Sequence, residues 1–221
     1  MNELQSVIGY TFKNQKLLLT ALTHSSYANE HGCESYERLE FVGDAVLGLA
    51  AAKYLYTCHP GLSEGEMTRK RAEMVCEKNL YKCACSLNMG EYLRLGRGEL
   101  ASGGRSRVSI LADTVESTIA AIYLDSGFER AEQFIRDRIF SHYDIDDPDN
   151  NPDYKTRFQE LAQRNGAADI EYAEVSESGP DHNKVFEFCV KLDGVVRGTG
   201  KGSTKKEAEQ QAAKSALETM N

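Results

Sequence analysis

Acidic side chains recur at helical spacing within two stretches that are otherwise apolar. In the segment ERLEFVGDAVL, the carboxylates Glu37, Glu40 and Asp44 stand at positions i, i+3 and i+7. At about 100° per residue, they fall within an arc of roughly 60° on one helix face. A second segment, SILADTVESTIAAIYLDSG, carries Asp113 and Glu116 three residues apart, again on one face. The sequence therefore predicts two helices that each present carboxylates from an apolar background.

These acids have no basic partner on their own helices. No Lys or Arg stands three or four residues from Asp44 or Asp113, and the neighbouring residues are Phe, Val, Leu, Ile and Ala. A buried carboxylate without a partner costs several kcal/mol or is forced to take up a proton. We therefore expect both acids to be buried, with a cation reaching them from elsewhere.

The predicted cluster offers only oxygen ligands, because Glu40, Asp44, Asp113 and Glu116 come without a histidine. Such ligands suit Mg²⁺, for which Mn²⁺ can substitute, whereas zinc prefers His or Cys. Mg²⁺ lowers the pKa of a bound water and offsets charge on a phosphate in the transition state. The pattern predicts hydrolysis of a phosphodiester, although the residues alone leave other Mg²⁺ chemistry on phosphates open.

Two alternatives compete with a magnesium site. Each acid alone could be a solvated surface residue, as most Asp and Glu are. A di-iron carboxylate oxidoreductase would need Glu-x-x-His pairs, but Gly43 and Ile119 stand three residues after Glu40 and Glu116. We interpret His24, a lone histidine in an apolar stretch, as a structural hydrogen-bonding residue and not as an acid/base catalyst.

Composition limits the class of protein. The 221 residues suggest one or two domains and contain no apolar run of eighteen or more, so we expect no membrane span. The first fifteen residues lack the cationic start and apolar block of a secretory signal, and the six cysteines form no CxxC pair. We expect a cytoplasmic protein with reduced thiols. The net charge of −8 is unfavourable for nucleic-acid binding, so any contact with a nucleic acid must come from a local cationic patch.

The composition changes near the middle of the chain. Residues 39–56, 109–127 and 129–143 are predicted to be helices, with a glycine-rich loop at 96–104. The stretch 144–152 is acidic and contains two prolines, which is typical of a linker.

After this linker the pattern indicates an α-β-β-β-α order. Strands alternate apolar and polar residues, and Asp193-Gly194 predicts a tight hairpin. The predicted elements are a helix at 156–166, strands at 170–178, 184–192 and 195–202, and a helix at 204–220. This order predicts helices packed on one face of a three-stranded antiparallel sheet.

These motifs resemble those of a known family. ERLEFVGDAVL is very similar to the signature helix of the ribonuclease III family, and ILADTVES resembles its second acidic helix. ALTHSSYANE, SEGEMTRKRAEMV and LRLGRGELASGGR resemble its flanking motifs. The resemblance implies a multidomain protein with an all-α ribonuclease III catalytic domain at 1–143, the acidic linker at 144–152 and an α+β double-stranded RNA-binding domain at 153–221.

The resemblance also implies roles for individual acids. It places the metal on Glu40, Asp44, Asp113 and Glu116, with Asp44 and Glu116 as the catalytic acids and Glu37 and Glu64 near the scissile strand. Ser117 stands where the family usually has Ala, a change that so small a side chain should tolerate.

The second half resembles a double-stranded RNA-binding domain over its full length. Three lysines cluster around the start of the last helix, where the helix dipole favours phosphate, and Gly198, Gly200 and Gly202 would let the backbone approach closely. The segment GTGKGS matches neither of the common nucleotide-binding loops, so we expect no nucleotide cofactor. The resemblance places Lys201, Lys205 and Lys206 on major-groove phosphates, Thr156, Gln159 and Glu160 at one minor groove, and His182 at the next.

Together with the resemblance, which implies the partner subunit, these features predict a homodimeric, Mg²⁺-dependent endonuclease for double-stranded RNA. The helix that carries Glu40 has Val42, Val46 and Leu49 opposite its acids, and a helix that is apolar all round must be buried in a core or against a partner. The resemblance implies staggered ends with 5′-phosphates and roles in processing ribosomal RNA precursors, messenger RNA and transfer RNA. The competing hypothesis is a non-catalytic double-stranded RNA-binding protein on the same fold.

Overall fold

We describe the protein from a computed structural model, in which residues 2–143, 154–163, 169–179 and 184–220 are described. The chain divides into two compact units, residues 1–150 and 151–221, and each is considered by itself. The predicted linker at 144–152 lies outside the described residues.

The secondary-structure elements described in the first unit are all helices, joined by short loops. Three short 3-10 segments, at Met89–Tyr92, Gly104–Ser106 and Phe140–His142, join or follow its α-helices. The α-helices are α1 (Asn2–Ile8), α2 (Gln15–Ala21), α3 (Ser25–His31), α4 (Glu37–Cys58), α5 (Glu64–Met74), α6 (Glu77–Ser86), α7 (Arg97–Ala101), α8 (Val108–Ser126) and α9 (Phe128–Arg138). No helix in the described part of the chain is long and apolar enough to cross a membrane.

Helix α8 forms the centre of this unit and packs against α4, α6, α9 and α2. Its apolar side chains, such as Val115 and Ile119, are fully buried. Its buried hydroxyl groups donate to main-chain carbonyls: Thr114 to Ile110, and Ser117 to Ala21 at 2.8 Å. The hydroxyl of Ser117 is thereby accommodated in the core, because a buried polar group with a hydrogen bond carries little penalty.

The predicted helices are present, but the predicted loop at 96–104 is partly wrong because it contains α7. Two main-chain amides at the start of α7 are bound by side chains of α3: Gly96 N–H donates to Ser26 Oγ and Arg97 N–H to Glu30 Oε1, both at 2.9 Å. These contacts from α3 stabilise α7, although the segment is rich in glycine. The predicted single helix at 129–143 ends at Arg138 and gives way to a 3-10 turn.

The second unit has the predicted α-β-β-β-α order. Its elements are α10 (Tyr154–Gln163), β1 (Ile170–Ser178), β2 (Val185–Leu192), β3 (Val195–Gly202) and α11 (Lys205–Met220). The strands form an antiparallel sheet in the order β1-β2-β3, and α11 packs on β2 and β3 beside α10. Asp193 and Gly194 both have positive φ, 51° and 78°, as a tight hairpin turn requires. The fold class is therefore confirmed.

The three glycines of β3 have a packing role that the sequence analysis did not predict. A Cβ atom at Gly198, Gly200 or Gly202 would overlap the backbone of α11, at Ala212 and Ala216 in the case of Gly198. These glycines let the strand and helix pack closely, which accounts for their presence without any approach to phosphate.

Candidate active site and RNA-binding surface

The two acidic helices touch at a glycine. A Cβ atom on Gly43 of α4 would overlap the main-chain carbonyl of Glu116 on α8. Only glycine allows this approach, and Gly43 lies between Glu40 and Asp44 in the sequence. The contact therefore brings the acids of α4 next to Glu116 and, one helical turn away, Asp113.

The cluster is partly buried. Glu40, Asp113 and Glu116 are half-buried, whereas Asp44 is exposed. The expectation that Asp44 is buried among apolar neighbours is therefore wrong. Helix α4 faces α8 through Gly43, and its adjacent flank, which includes Asp44 and Phe41, is open to solvent.

The carboxylates act on one another electrostatically. Burial, followed by the charges of Asp44, Glu40 and Asp113, raises the pKa of Glu116 to about 7. Burial, followed by Asp113, Glu37 and Asp44, raises the pKa of Glu40 above its ordinary value. The neighbouring charges that raise the pKa values of Glu40 and Glu116 are all carboxylates. The site therefore concentrates negative charge and favours a cation.

Asp113 is hydrogen-bonded to a tyrosine at the start of α4. The pKa of Asp113 is raised above its ordinary value, chiefly by burial. The Tyr36 hydroxyl, which donates to Asp113 Oδ2 at 3.3 Å, acts to lower this pKa. Glu77 acts to raise it and His24 to lower it. The His24 ring packs edge-on against Tyr36, and its Nδ1 accepts from Ser26 N–H at the start of α3. This contact matches the interpretation of His24 as a structural residue.

The donor set fits a hard divalent cation. Within the described residues, no three His, Cys, Asp or Glu side chains already stand where they would hold one metal ion together. Carboxylate oxygens on two tightly packed helices are nevertheless the ligands that Mg²⁺ and Mn²⁺ take.

The two further acids of the prediction lie in different places. Glu37 is the first residue of α4, accepts from Ser35 Oγ at 2.8 Å, and contributes to the raised pKa of Glu40. Glu64, the first residue of α5, lines a cavity of about 270 Å³ beside Tyr56 near the far end of α4. Sixteen residues of helix separate Tyr56 from Glu40, roughly 24 Å. The structure thus brings Glu37, but not Glu64, to the cluster within one chain.

The predicted cationic patch of the second unit is partly neutralised. Lys205 Nζ lies 2.8 Å from Glu174 Oε2, and Lys201 Nζ lies 3.7 Å from Glu187 Oε1. Lys206 is exposed and forms no salt bridge with any other described residue.

The other predicted RNA contacts are three residues of α10 and His182. On α10, Thr156 is half-buried, and Gln159 and Glu160 are exposed. His182 lies outside the described residues.

Three functional features were missed by the sequence analysis. Gly43 was considered only as the residue three positions after Glu40, although a glycine inside an apolar helix can have a packing role. The contact of Tyr36 with Asp113 joins residues far apart in sequence, and the pairing of Glu174 with Lys205 depends on the register of the sheet. No sequence signal points to either of these two contacts.

Comparison with known proteins assigns the chain. A family model described as Ribonuclease-III-like matches residues 14–143, and one described as double-stranded RNA binding motif matches residues 154–220. This chain belongs to the ribonuclease III family. The resemblance seen in ERLEFVGDAVL and ILADTVES is confirmed, and the motif match confirms the resemblance of the second half.

Relatives of this ribonuclease III family member align over nearly its whole length. Ribonuclease 3 of Geobacillus kaustophilus is 48% identical over 99% of this chain and 90% of that protein. Ribonuclease 3 of Clostridium acetobutylicum is 48% identical over 100% of this chain and 97% of that protein. The nuclease domain of ribonuclease III from Campylobacter jejuni matches with a TM-score of 0.61 at 38% identity, covering 64% of this chain and 96% of that domain.

Proposed function

We propose that this protein is an endoribonuclease that hydrolyses double-stranded RNA, with cleavage by the first unit and duplex binding by the second. The observation that carries this function is the approach of α4 to α8 at Gly43, which gathers carboxylates at one place. The same chain matches a double-stranded RNA binding motif. Family membership supports the reaction, and nothing favours the non-catalytic alternative, because all the acids are present.

We propose that Glu40, Asp44, Asp113 and Glu116 hold Mg²⁺, with Mn²⁺ as a substitute. When bound, the cation supplies a more acidic water and offsets charge on the phosphate. Because the pKa of Glu116 is raised to about 7, cation binding releases the proton that this carboxyl otherwise keeps near neutral pH. Asp44, the exposed member, is the carboxylate that the substrate meets first.

The RNA-binding proposal rests on shape more than on charge. Residues 153–221 contain 10 Lys and Arg against 12 Asp and Glu, so binding depends on a few lysines around the start of α11. We propose that Lys201, Lys205 and Lys206 contact phosphates across the major groove. Thr156, Gln159 and Glu160 on α10 would then meet one minor groove and His182 the next, a mode of recognition with little sequence preference.

We propose that the protein acts as a homodimer through α4. Phe41, Leu49 and Tyr56 are 80%, 57% and 74% exposed, and at about 100° per residue they lie within an arc of roughly 80°. Such an exposed apolar stripe marks a protein interface. Of the apolar residues predicted opposite the acids, Val46 is buried in its own unit and Val42 is half-buried, so Leu49 is the one available to a partner.

A solved relative supports a dimer of this kind. The nuclease domain of ribonuclease III from Campylobacter jejuni has a structurally flexible region involved in dimer formation. In a two-fold pair of the present chain, each subunit would present one carboxylate cluster, so that each cuts one strand. We propose staggered ends with 5′-phosphates, and roles in processing ribosomal RNA precursors and other structured transcripts in the cytoplasm.

The proposed function is tested by incubating the purified protein with a long RNA duplex and with the same strand unpaired. We expect cleavage of the duplex with Mg²⁺ and none with EDTA, while the single strand survives both conditions. A protein that retards the duplex in a gel but leaves it intact with Mg²⁺ and with Mn²⁺ would be a binding protein and not a nuclease.

A further inference from the structure

An ion pair occupies the RNA-binding end of α11. The Glu174 carboxylate, on β1, lies 2.8 Å from the ammonium of Lys205, the first residue of α11. The ammonium also lies 5.6 Å from the centre of the Phe186 ring on β2. Both charged side chains keep contact with solvent, with 57% of Lys205 and 36% of Glu174 exposed. The lysine is thus already bound to a carboxylate where a phosphate is proposed to bind.

Similar pairs surround it on the same sheet. Glu177 Oε1 lies 2.6 Å from Lys184 Nζ, and Glu187 lies 3.7 Å from Lys201. The Glu187 carboxylate is held by Ser176 Oγ, which donates to it at 2.9 Å. Two of the three lysines proposed to contact phosphate therefore have a carboxylate of the sheet beside them.

A phosphate and a carboxylate compete for one ammonium. A phosphate that reaches Lys205 must either displace Glu174 or approach that carboxylate and be repelled by it. Exposed ion pairs are weak and are screened by salt, so a phosphate can displace the carboxylate, but at the cost of part of the binding free energy. Lys206, without such a pair among the described residues, carries no comparable cost.

We propose that Glu174 competes with RNA phosphate for Lys205 and so sets the affinity of this surface for duplex RNA. The inference rests on the proposed function, because it requires Lys205 to contact RNA. The competition lowers the gain from any single phosphate. A ligand that makes only this contact is therefore held weakly, whereas a duplex that also engages α10 and Lys206 overcomes the cost.

The test replaces Glu174 by Gln in a Glu116→Gln background, which prevents cleavage during the measurement. Binding of one labelled duplex is followed by fluorescence anisotropy over a series of salt concentrations. We expect Glu174→Gln to tighten binding about two- to fivefold at low salt, the range that an exposed ion pair supports. The gain should shrink as salt rises, because screening weakens the Lys205–Glu174 attraction.

Glu171→Gln is the matched control. Glu171 lies on the same strand, and its carboxylate lies 3.0 Å from the ammonium of Lys191. It stands opposite Lys191 in the sheet, three residues from Glu174 and nearer to the Asp193-Gly194 turn. The control removes the same charge and the same kind of ion pair without touching Lys205. If both variants tighten binding equally, net charge and not competition is responsible, and the inference is overturned.

Lys205→Ala, alone and combined with Glu174→Gln, separates the inference from the proposed docking. We expect Lys205→Ala to weaken binding and to abolish the gain from Glu174→Gln. If Lys205→Ala binds as tightly as the parent, the docking itself fails. If Lys205→Ala weakens binding but Glu174→Gln leaves it unchanged, the docking stands and the competition does not exist.

Discussion

Replacing Glu116 by Gln should stabilise the cation-free protein at alkaline pH while it removes the proposed catalytic acid. Burial and three neighbouring carboxylates raise the pKa of Glu116 from 4.5 to about 7. A carboxyl with a higher pKa in the folded than in the unfolded state binds its proton more tightly when folded. The loss of stability that Glu116 causes is absent below pH 4.5, grows as the pH rises, and is complete above about pH 7.

The size of this effect follows from the difference between the pKa values of Glu116 in the unfolded and folded states. Each pH unit between the two pKa values corresponds to about 1.4 kcal/mol, which gives an upper value of roughly 3 kcal/mol. Because the side chain is only half-buried and solvent screens its neighbours, we expect about 2–3 kcal/mol. Glutamine has nearly the same shape and no charge, so Glu116→Gln should recover this amount at pH 8 and nothing at pH 4.5.

The assay is urea denaturation with EDTA at several pH values and one protein concentration, since a dimer's stability depends on concentration. Asp137→Asn, an exposed acid on α9 outside the cluster, is the control and should change stability little at any pH. Added Mg²⁺ should stabilise the wild type and have much less effect on Glu116→Gln. If the variant is no more stable than wild type at pH 8 with EDTA, the acids do not repel one another as described.

Three further predictions concern packing, assembly and RNA binding. Gly43→Ala should destabilise the first unit by about 3 kcal/mol or more, because the added methyl group overlaps the backbone of α8. The control, Gly48→Ala on the same helix, meets nothing within 4 Å and should stabilise the unit by about 0.5–1 kcal/mol. Equal urea midpoints for the two variants would refute the contact. Phe41→Glu should convert the dimer to a monomer in sedimentation, since a two-fold interface would place both charges in an apolar stripe; an unchanged dimer would place the interface elsewhere. Lys205→Ala/Lys206→Ala should weaken duplex binding and flatten its salt dependence by up to about two units, and an unchanged slope would move the RNA to another surface.

Much of the fold could be predicted from local sequence patterns. The alternation in β1 to β3 and the Asp193-Gly194 turn predict the sheet, because side-chain alternation and turn conformation depend on a few neighbouring residues. Helix α7 could not be predicted, since its first amides are bound by Ser26 and Glu30 of α3. Such contacts exist only after distant segments have packed together.

The acids of the site were predictable because their spacing places them on one helix face. Their environment was not: Asp44 is exposed, which depends on how α4 rotates against α8. The same limit explains the glycines of β3, where the sequence suggested a phosphate contact and the structure shows helix packing. Likewise, no acid near Lys205 in the sequence indicates its partner, because Glu174 reaches Lys205 only through the fold of β1.

Cleavage by the carboxylates on α4 and α8, acting on the duplex that the second unit binds, is the central claim. The most direct test compares wild type and Glu116→Gln on one labelled RNA duplex, measuring gel retardation with EDTA and cleavage over a series of Mg²⁺ concentrations. We predict equal retardation by both proteins, cleavage by wild type, and none by the variant, because the amide removes a charged ligand and keeps the shape. Cleavage by Glu116→Gln near the wild-type rate at low Mg²⁺ would contradict this claim.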